Sequence, residues 1–498
     1  MLERMGEIAG PQYGLRFGSI PPMLSSVSHF REGGKWTLEQ WLVACQGRKV
    51  TDRRDLVYAG LAVVDAAEVT IDQSIKDVES PSPSADADEY VKLRNKHLWP
   101  VLSPDYTVST EEALVNLAAC LLSRPDNITL LSYTGQANEY ITSLFDGMPR
   151  AAFDFVAGTP PSTGPSWHFD PNSLASRTQV PFKHLGGRFN ACTAIPNSPR
   201  ISANGKELSL SAHTIDTVDK AWRWFAPAQP EELLDMLLYL ESAPTTYPGS
   251  SDENKEPFLT AIAHANIADI WNGSCPAPKD TITAAFLHAL HDQITKTASD
   301  MKDSEKAAEQ DARHRRLGLP TELHHKAFLA LDPDARASHL REIFESIKSH
   351  HVDVPISDYL KAPNPMPDYS SASTQIWRTF FITSSRLVGL GPISLGKGDK
   401  IMLVPGTYTP YAFSTPRQMV EKDKAGKRTS LGGSWRAQMA MRVFGWAGKS
   451  AGDPGWEKRR EDGVVLLGEA YVRGWMDGRR VKGSEGSEGL KFERVVVV

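Results

Sequence analysis

The rhythm of apolar and polar positions changes along this chain, and its clearest strand-like stretch comes late. Arg378–Thr383 reads RTFFIT, β-branched and aromatic, which suits a pleated, half-buried surface. Ser384, Ser385 and Arg386 break that run, Leu387–Leu390 resumes it, and Gly391-Pro392 stops it. Gly396-Lys397-Gly398-Asp399 supplies a second turn whose glycines accept positive φ, and Lys400–Val404 follows as an apolar strand. Val464–Leu467 is a further apolar run that leads toward Tyr471 and Val472. Neither group has enough strands to be stable alone. The pattern therefore predicts that residues 376–403 and 464–472 pair, mainly antiparallel, within one small sheet or barrel, with Gly391 and Gly474 at bends.

Helical spacing dominates elsewhere. Thr37 and Gln40 have capping-box spacing before a helix running to about Cys45, with Trp36 and Trp41 placed as a hydrophobic staple. Asp52 caps a short helix whose Leu56, Val57 and Leu61 face inward. Ser109 and Glu112 form another capping box ahead of Thr110–Leu122, with an inward face of Ala113, Leu114, Leu117, Ala118 and Leu121. Ile128–Tyr133 reads as a strand. From Pro230 onward the character is helical: Glu231–Leu240, Phe258–Trp271, Ile282–Ile294 and Ala327–Ile347, the last divided by Pro333. Ser80–Asp88, Pro363–Pro367 and Lys482–Gly489 have loop or linker compositions, Met301–Arg316 is a charged, solvated run, and Val495–Val498 suits a terminal edge strand.

Bulk properties remove several function classes. A length of 498 residues allows a substantial core and more than one domain. A net charge of −5 offers no global basic field for nucleic acid or an anionic membrane. No run approaches the roughly 20 apolar residues that span a bilayer, and Met1–Ser19 lacks the apolar stretch of a secretory signal. Cys45, Cys120, Cys192 and Cys275 are too scattered for a disulfide framework or a zinc knuckle, and read as reduced thiols of a cytoplasmic protein.

Candidate chemistry is sparse. His288 and His291 stand three apart on a predicted helix, a spacing at which imidazoles can share a metal, with His324-His325 further on. No cysteine or carboxylate completes a set, so exposed helix histidines account for them. There is no G-x-S-x-G elbow and no Walker lysine motif. Asp170 beside His168 has the residue types of an acid/base pair, against a loop pinned by Trp167. Tyr471, Trp475 and Asp477 suit either a ligand pocket or core and turn roles. Arg54 and Asp55 either cap and pair at a helix start or make a functional contact. Arg417–Arg436 is basic but balanced by Glu421 and Asp423, as a solvated loop is. No catalytic, cofactor-binding or metal-binding residue is assigned.

The segments R-x-F-F-x-T (378–383), G-x-G-P (389–392), G-D-x-I (398–401), P-G (405–406) and G-E-A-Y-V-x-G-W-M-D-G (468–478) together resemble the C-terminal region of fungal heterokaryon-incompatibility proteins, the HET-domain family. R-D-L-V-Y-A (54–59), P-D-Y (104–106) and P-S-W-H-F-D (165–170) are similar to further segments of that family, with Pro171 where a second Trp is common. Residues 189–191, 207–210 and 215–218 resemble short strands that follow in it. The resemblance covers roughly Gly33 to Gly478 in scattered motifs. It implies structural or interaction roles for Arg54, Asp55, Tyr58, Trp167, Asp170, Gly391, Pro392, Gly398, Asp399, Gly468, Glu469, Tyr471, Gly474, Met476, Asp477 and Gly478.

One departure shapes the expectation. The family's defining N-terminal module, which resembles TIR domains, carries L-S-Y-x-W-G and I-D-x-x-C-I-N-Q stretches, and this sequence holds neither. The resemblance thus implies the accessory C-terminal body of such a protein, a shortened paralogue or an incomplete gene product. Its expected role is regulatory and non-enzymatic, exerted through a protein partner in non-self recognition and programmed cell death. The alternative is an enzyme, such as a hydrolase with an unrecognised active site. The expected fold class is α+β: a mixed α/β region over 1–228, a helical region over 229–362, a small β-barrel-like domain over 376–478 with an insertion at 414–463, and a flexible tail over 479–498.

Overall fold

The computed structural model describes residues 41, 52, 54–61, 104–122, 125–133, 166–167, 189–197, 199–202, 207–222, 230–250, 255–269, 279–302, 328, 331–351, 378–392, 394–419, 462–482 and 490–498. His168, Asp170, His324-His325, the 80–88 loop and most of the 414–463 insertion lie outside them.

The helices form largely where their spacing places them. α1 is Asp55–Leu61 and α2 is Thr110–Leu122. Ser109 Oγ accepts the Glu112 N–H at 3.1 Å, and all five inward residues expected of α2 are buried. Ile128–Tyr133 is not a strand. Pro125–Tyr133 winds as a 3-10 helix, started by the fixed φ of Pro125. Ile128 and Leu131 are three residues apart, so they share one face at three residues per turn, and both are fully buried. α3 (Pro230–Glu241), α4 (Phe258–Asn266), α5 (Lys279–Lys302) and α6 (Pro333–His351) follow. The helical stretch is divided at Pro333, as expected: Phe328 is helical, Leu331 and Asp332 are not, and Pro333 opens α6, where Asp332 Oδ1 accepts the Ala335 N–H at 2.9 Å and proline suits the first helical position.

The strands are β1 (Arg200–Ile201), β2 (Leu208–Trp222), β3 (Arg378–Thr383), β4 (Val388–Pro392), β5 (Lys400–Leu403), β6 (Tyr411–Ser414), β7 (Val465–Glu469), β8 (Tyr471–Val472) and β9 (Glu493–Val497). A short helix, α7 (Arg479–Lys482), precedes β9. The two stretches expected as separate strands at 207–210 and 215–218 are one continuous strand, β2, while 189–191 forms none. Every ladder is antiparallel, in the order β7-β6-β5-β2-β3-β4-β8, with β1 and β9 also on β2. The two late strand groups therefore share one sheet, as expected, and that sheet takes its central strand from far upstream.

The sheet is open, so the expected barrel is not formed. Its end strands, β7 and β8, are separated only by Ala470 and cannot fold back on each other. Ala470 instead donates its N–H to Pro410 O at 2.8 Å as the chain passes from β6 to β4. Tyr471 takes the core role: it is buried within β8. Gly474 sits in a turn at φ +81°, as expected of a bend. Gly391 does not. It lies in β4 opposite Thr379, where a Cβ would meet Leu395 at 2.5 Å.

Alternate side chains of β5, β6 and β7 enter two separate cores. Ile401, Leu403, Ala412, Val465 and Leu467 join a large core with α3, α4, α5 and α6. Met402, Val404, Tyr411, Phe413 and Leu466 join a second core with α1, α2, the 3-10 helix and Trp167. Helices thus cover both faces, which is why these strands read as unbroken apolar runs rather than alternating ones. The class is α+β. Among the described residues no helix is long and apolar enough to cross a membrane.

Close backbone approach makes Gly389 a test of the β4–β8 pairing. A Cβ there would lie 2.2 Å from Tyr471 O and 2.4 Å from the Phe381 ring. Gly389→Ala should cost about 1–3 kcal/mol in denaturant unfolding through overpacking. An unchanged midpoint would show that β4 and β8 do not meet in this register.

Candidate functional site

The two N-terminal motif segments meet at the start of α1. Arg54 holds Asp52 through Nε–Oδ1 at 3.0 Å and Nη2–Oδ2 at 2.6 Å. Its Nη1 donates to the carbonyls of Tyr106 and Val108 at 2.8 and 2.7 Å, and its guanidinium lies 5.2 Å from the Tyr106 ring centre. Tyr106 OH donates to Asp55 at 2.7 Å, and Tyr58 OH to Asp105 O at 2.9 Å. Hydrogen bonds from Arg54 hold the Asp52 carboxyl below its usual range. Arg54, Asp55 and Tyr58 therefore latch α1 to the approach to α2.

The C-terminal motif residues mostly shape the chain. Trp167 is fully buried in the second core, and Ser166 beside it bonds Val498 O through Oγ at 2.6 Å. Gly398, at φ +87°, donates its N–H to Val218 O. The buried Asp399 carboxylate accepts Gly396 N–H and Ser414 Oγ, each at 2.7 Å. Pro392 pairs with Arg378 across the β3–β4 hairpin. Gly468 faces the irregularity between Ala412 and Phe413 on β6. Met476 O accepts Asn190 N–H at 2.7 Å, and a Cβ on Gly478 would lie 2.5 Å from Asn190 O, so the motif wraps closely around Asn190 and Ala191. Asp477 Oδ1 accepts the Arg479 N–H at the start of α7. Glu469 is buried, accepts Thr409 Oγ1 at 3.2 Å, and partly offsets the burial that pulls Arg378 down to about 10.

A buried charged cluster lies where the sequence patterns did not point. Arg473 sits in the middle of the C-terminal motif, immediately after β8. It grips Glu256 through Nη2–Oε1 at 2.9 Å and Nε–Oε2 at 3.2 Å, and Asp269 through Nη1–Oδ2 at 2.6 Å. Burial opposes the Arg473 charge, but Tyr471, Glu256 and Asp269 outweigh it and keep the guanidinium firmly protonated. The other Asp269 oxygen lies 2.6 Å from Nδ1 of His264, a fully buried residue of α4. A left-handed turn delivers that carboxylate. Ala268 and Asp269 have φ of 51° and 60°, and the Asp269 N–H returns to His264 O at 2.8 Å. α4 accordingly stops at Asn266, short of the expected Trp271.

This geometry sets what the cluster can do. A carboxylate on Nδ1 fixes the ring with that nitrogen protonated. Nε2 is buried without a hydrogen-bond partner among the described residues, so no described hydroxyl or thiol is aligned with it as a nucleophile. Among the described residues no group of three or more His, Cys, Asp or Glu could hold a metal ion. Burial pushes the Cys192 thiol up to about 12, which makes it a poor nucleophile. A sequence signal for the cluster did exist: His264 and Asp269 interrupt a segment that is otherwise almost wholly apolar (FLTAIAHANIADIW).

Truncating Arg473 would leave two carboxylates facing each other in the interior. Arg473→Met should cost about 3–5 kcal/mol in denaturant unfolding, and Glu256→Gln less, because Asp269 still holds the guanidinium. Losses near zero for both would mean that the cluster does not tie the interior together.

No family model, curated protein or solved structure matches this chain, so any functional reading rests on the residues and geometry described above.

Proposed function

We propose that this chain is the accessory, regulatory body of a HET-like protein in fungal heterokaryon incompatibility, cytoplasmic and acting through a protein partner rather than by catalysis. The observation that carries the reading is the employment of the motif residues. Arg54, Tyr58, Asp399, Gly474 and Gly478 hold segments together or turn the chain, and none of them gathers around an open reactive centre. A folded body of this kind can bind a partner or restrain an attached effector, because function sits in sites grafted on folds.

The second reading, an enzyme such as a hydrolase, draws on the His264–Asp269 bond and the bare Nε2 beside it. Regulated expression in a fungal cell separates the two. The chain alone should leave viability unchanged. Joining it to a HET module from a related protein should alter when that module kills. Death caused by the chain alone, and abolished by His264→Ala in a protein that still folds, would sink the accessory reading and establish the enzyme.

A further inference from the structure

We propose that the seat of β9 is a strand-exchange interface, in which the C-terminal strand of one copy of this chain fills the seat of a second copy. β9 is held by a single ladder, Leu208↔Val497 through Ala212↔Glu493 on β2. Around it are a bridge to Val464 (Val464 N to Val496 O 2.8 Å, Val498 N to Val464 O 2.9 Å) and the clasp of Ser166 on Val498 O, with Ser166 Oγ also accepting Leu466 N–H at 2.9 Å. Withdrawal of β9 strips the Leu208–Ala212 segment of its ladder on that edge, and unmet backbone groups of this kind call for another strand.

The seat is also selective. Val495 and Val497 enter the second core, while Leu490, Phe492, Val496 and Val498 enter the first. A strand that fits must therefore be apolar on both faces in this alternation, and the chain's own tail has that pattern. Between α7 and Leu490 the sequence is GSEGSEG, with three glycines and no apolar residue. A second copy offers the same side chains and the same clasp, so exchange replaces each contact with an identical one.

Paired full-length variants test this. Ser209 and Val496 are Cα partners. A mixture of S209C chains and V496C chains, incubated at high concentration in mild denaturant and then oxidised, should yield a covalent mixed dimer that neither variant forms alone. Excess synthetic peptide spanning Leu490–Val498 should suppress that dimer. The S209C/V496C double variant, kept dilute, should close its disulfide within one chain. Closure there without any mixed dimer would overturn the proposal. So would failure of the double variant to close, because β9 would then not occupy this seat.

Discussion

The backbone of β2 needs hydrogen-bond partners over fifteen residues, and no neighbouring strand is long enough to supply them. β9, β5 and β3 therefore take its length in turn, over residues 208–212, 213–217 and 218–222. Its register shifts between Thr214 and Asp216 and again between Val218 and Lys220. Such shifts leave groups without a ladder partner. Side chains and turns meet the need here. The Asp216 carboxylate accepts the Thr217 and Ser385 N–H groups, each at 2.8 Å. Asp399 O accepts Val218 N–H, and Val218 O accepts Gly398 N–H, each at 2.8 Å. The G-D turn is placed by this demand. Gly398 supplies a positive φ, and Asp399 closes the turn on Gly396 and Ser414.

Burial on both faces follows from the same strand. Once β2 gathers the late strands, each face of the sheet must be covered, and helices from opposite directions along the chain cover them. Leu210 faces a core with Leu117 and Ile128, while Val218 faces one with Phe258 and Phe344. A fully buried residue of this size contributes about 1.5–3 kcal/mol, so the faces reinforce each other across hundreds of residues. The borders drawn from composition mark changes of local rhythm, but hydrogen bonding joins 207–222 to 378–414 in one sheet. Long-range antiparallel pairing of this kind makes for slow folding, because distant segments must close before their contacts stabilise anything.

Local patterns were legible in the sequence and long-range partnerships were not. The α2 cap and inward face, the start of α3 and the β3–β4 hairpin all appear where spacing and turn residues put them, since each depends on neighbours within a few positions. Ile128–Tyr133 misled because a short apolar run fits a strand or a tight helix equally well, and the proline ahead of it decided the matter. Gly391 looked like a turn residue. Its smallness serves contact with Leu395, which lies close in sequence but packs only once the strands are in place. β2 read as two strands because Ser211, His213 and Thr214 lie between its two apolar stretches and hide the continuity that cross-strand bonds restore. Motif residues pointed to the right neighbourhood around 468–478, yet the buried ion cluster there belongs to Arg473 and to partners more than 200 residues upstream.

That cluster is an expensive way to join two elements. Two carboxylates share one guanidinium in the interior, and an apolar replacement of similar volume is often as stable or more so. Ala268 and Asp269 add left-handed backbone without glycine, which costs about 1–2 kcal/mol per residue. Apolar packing could hold α4 against the strands, but it would tolerate sliding. Directional bonds do not. Around the cluster, Tyr247 OH donates to Arg473 O at 2.8 Å, Arg480 Nε to Gly474 O at 3.1 Å and Arg480 Nη2 to Gly249 O at 2.8 Å. These arms fix the path of 473–480 against the 247–249 turn while Glu256 and Asp269 fix its depth. The turn glycines let the chain bend here, and the Arg473 side chain, through the bonds it makes to the α4 side, determines where the bent segment docks.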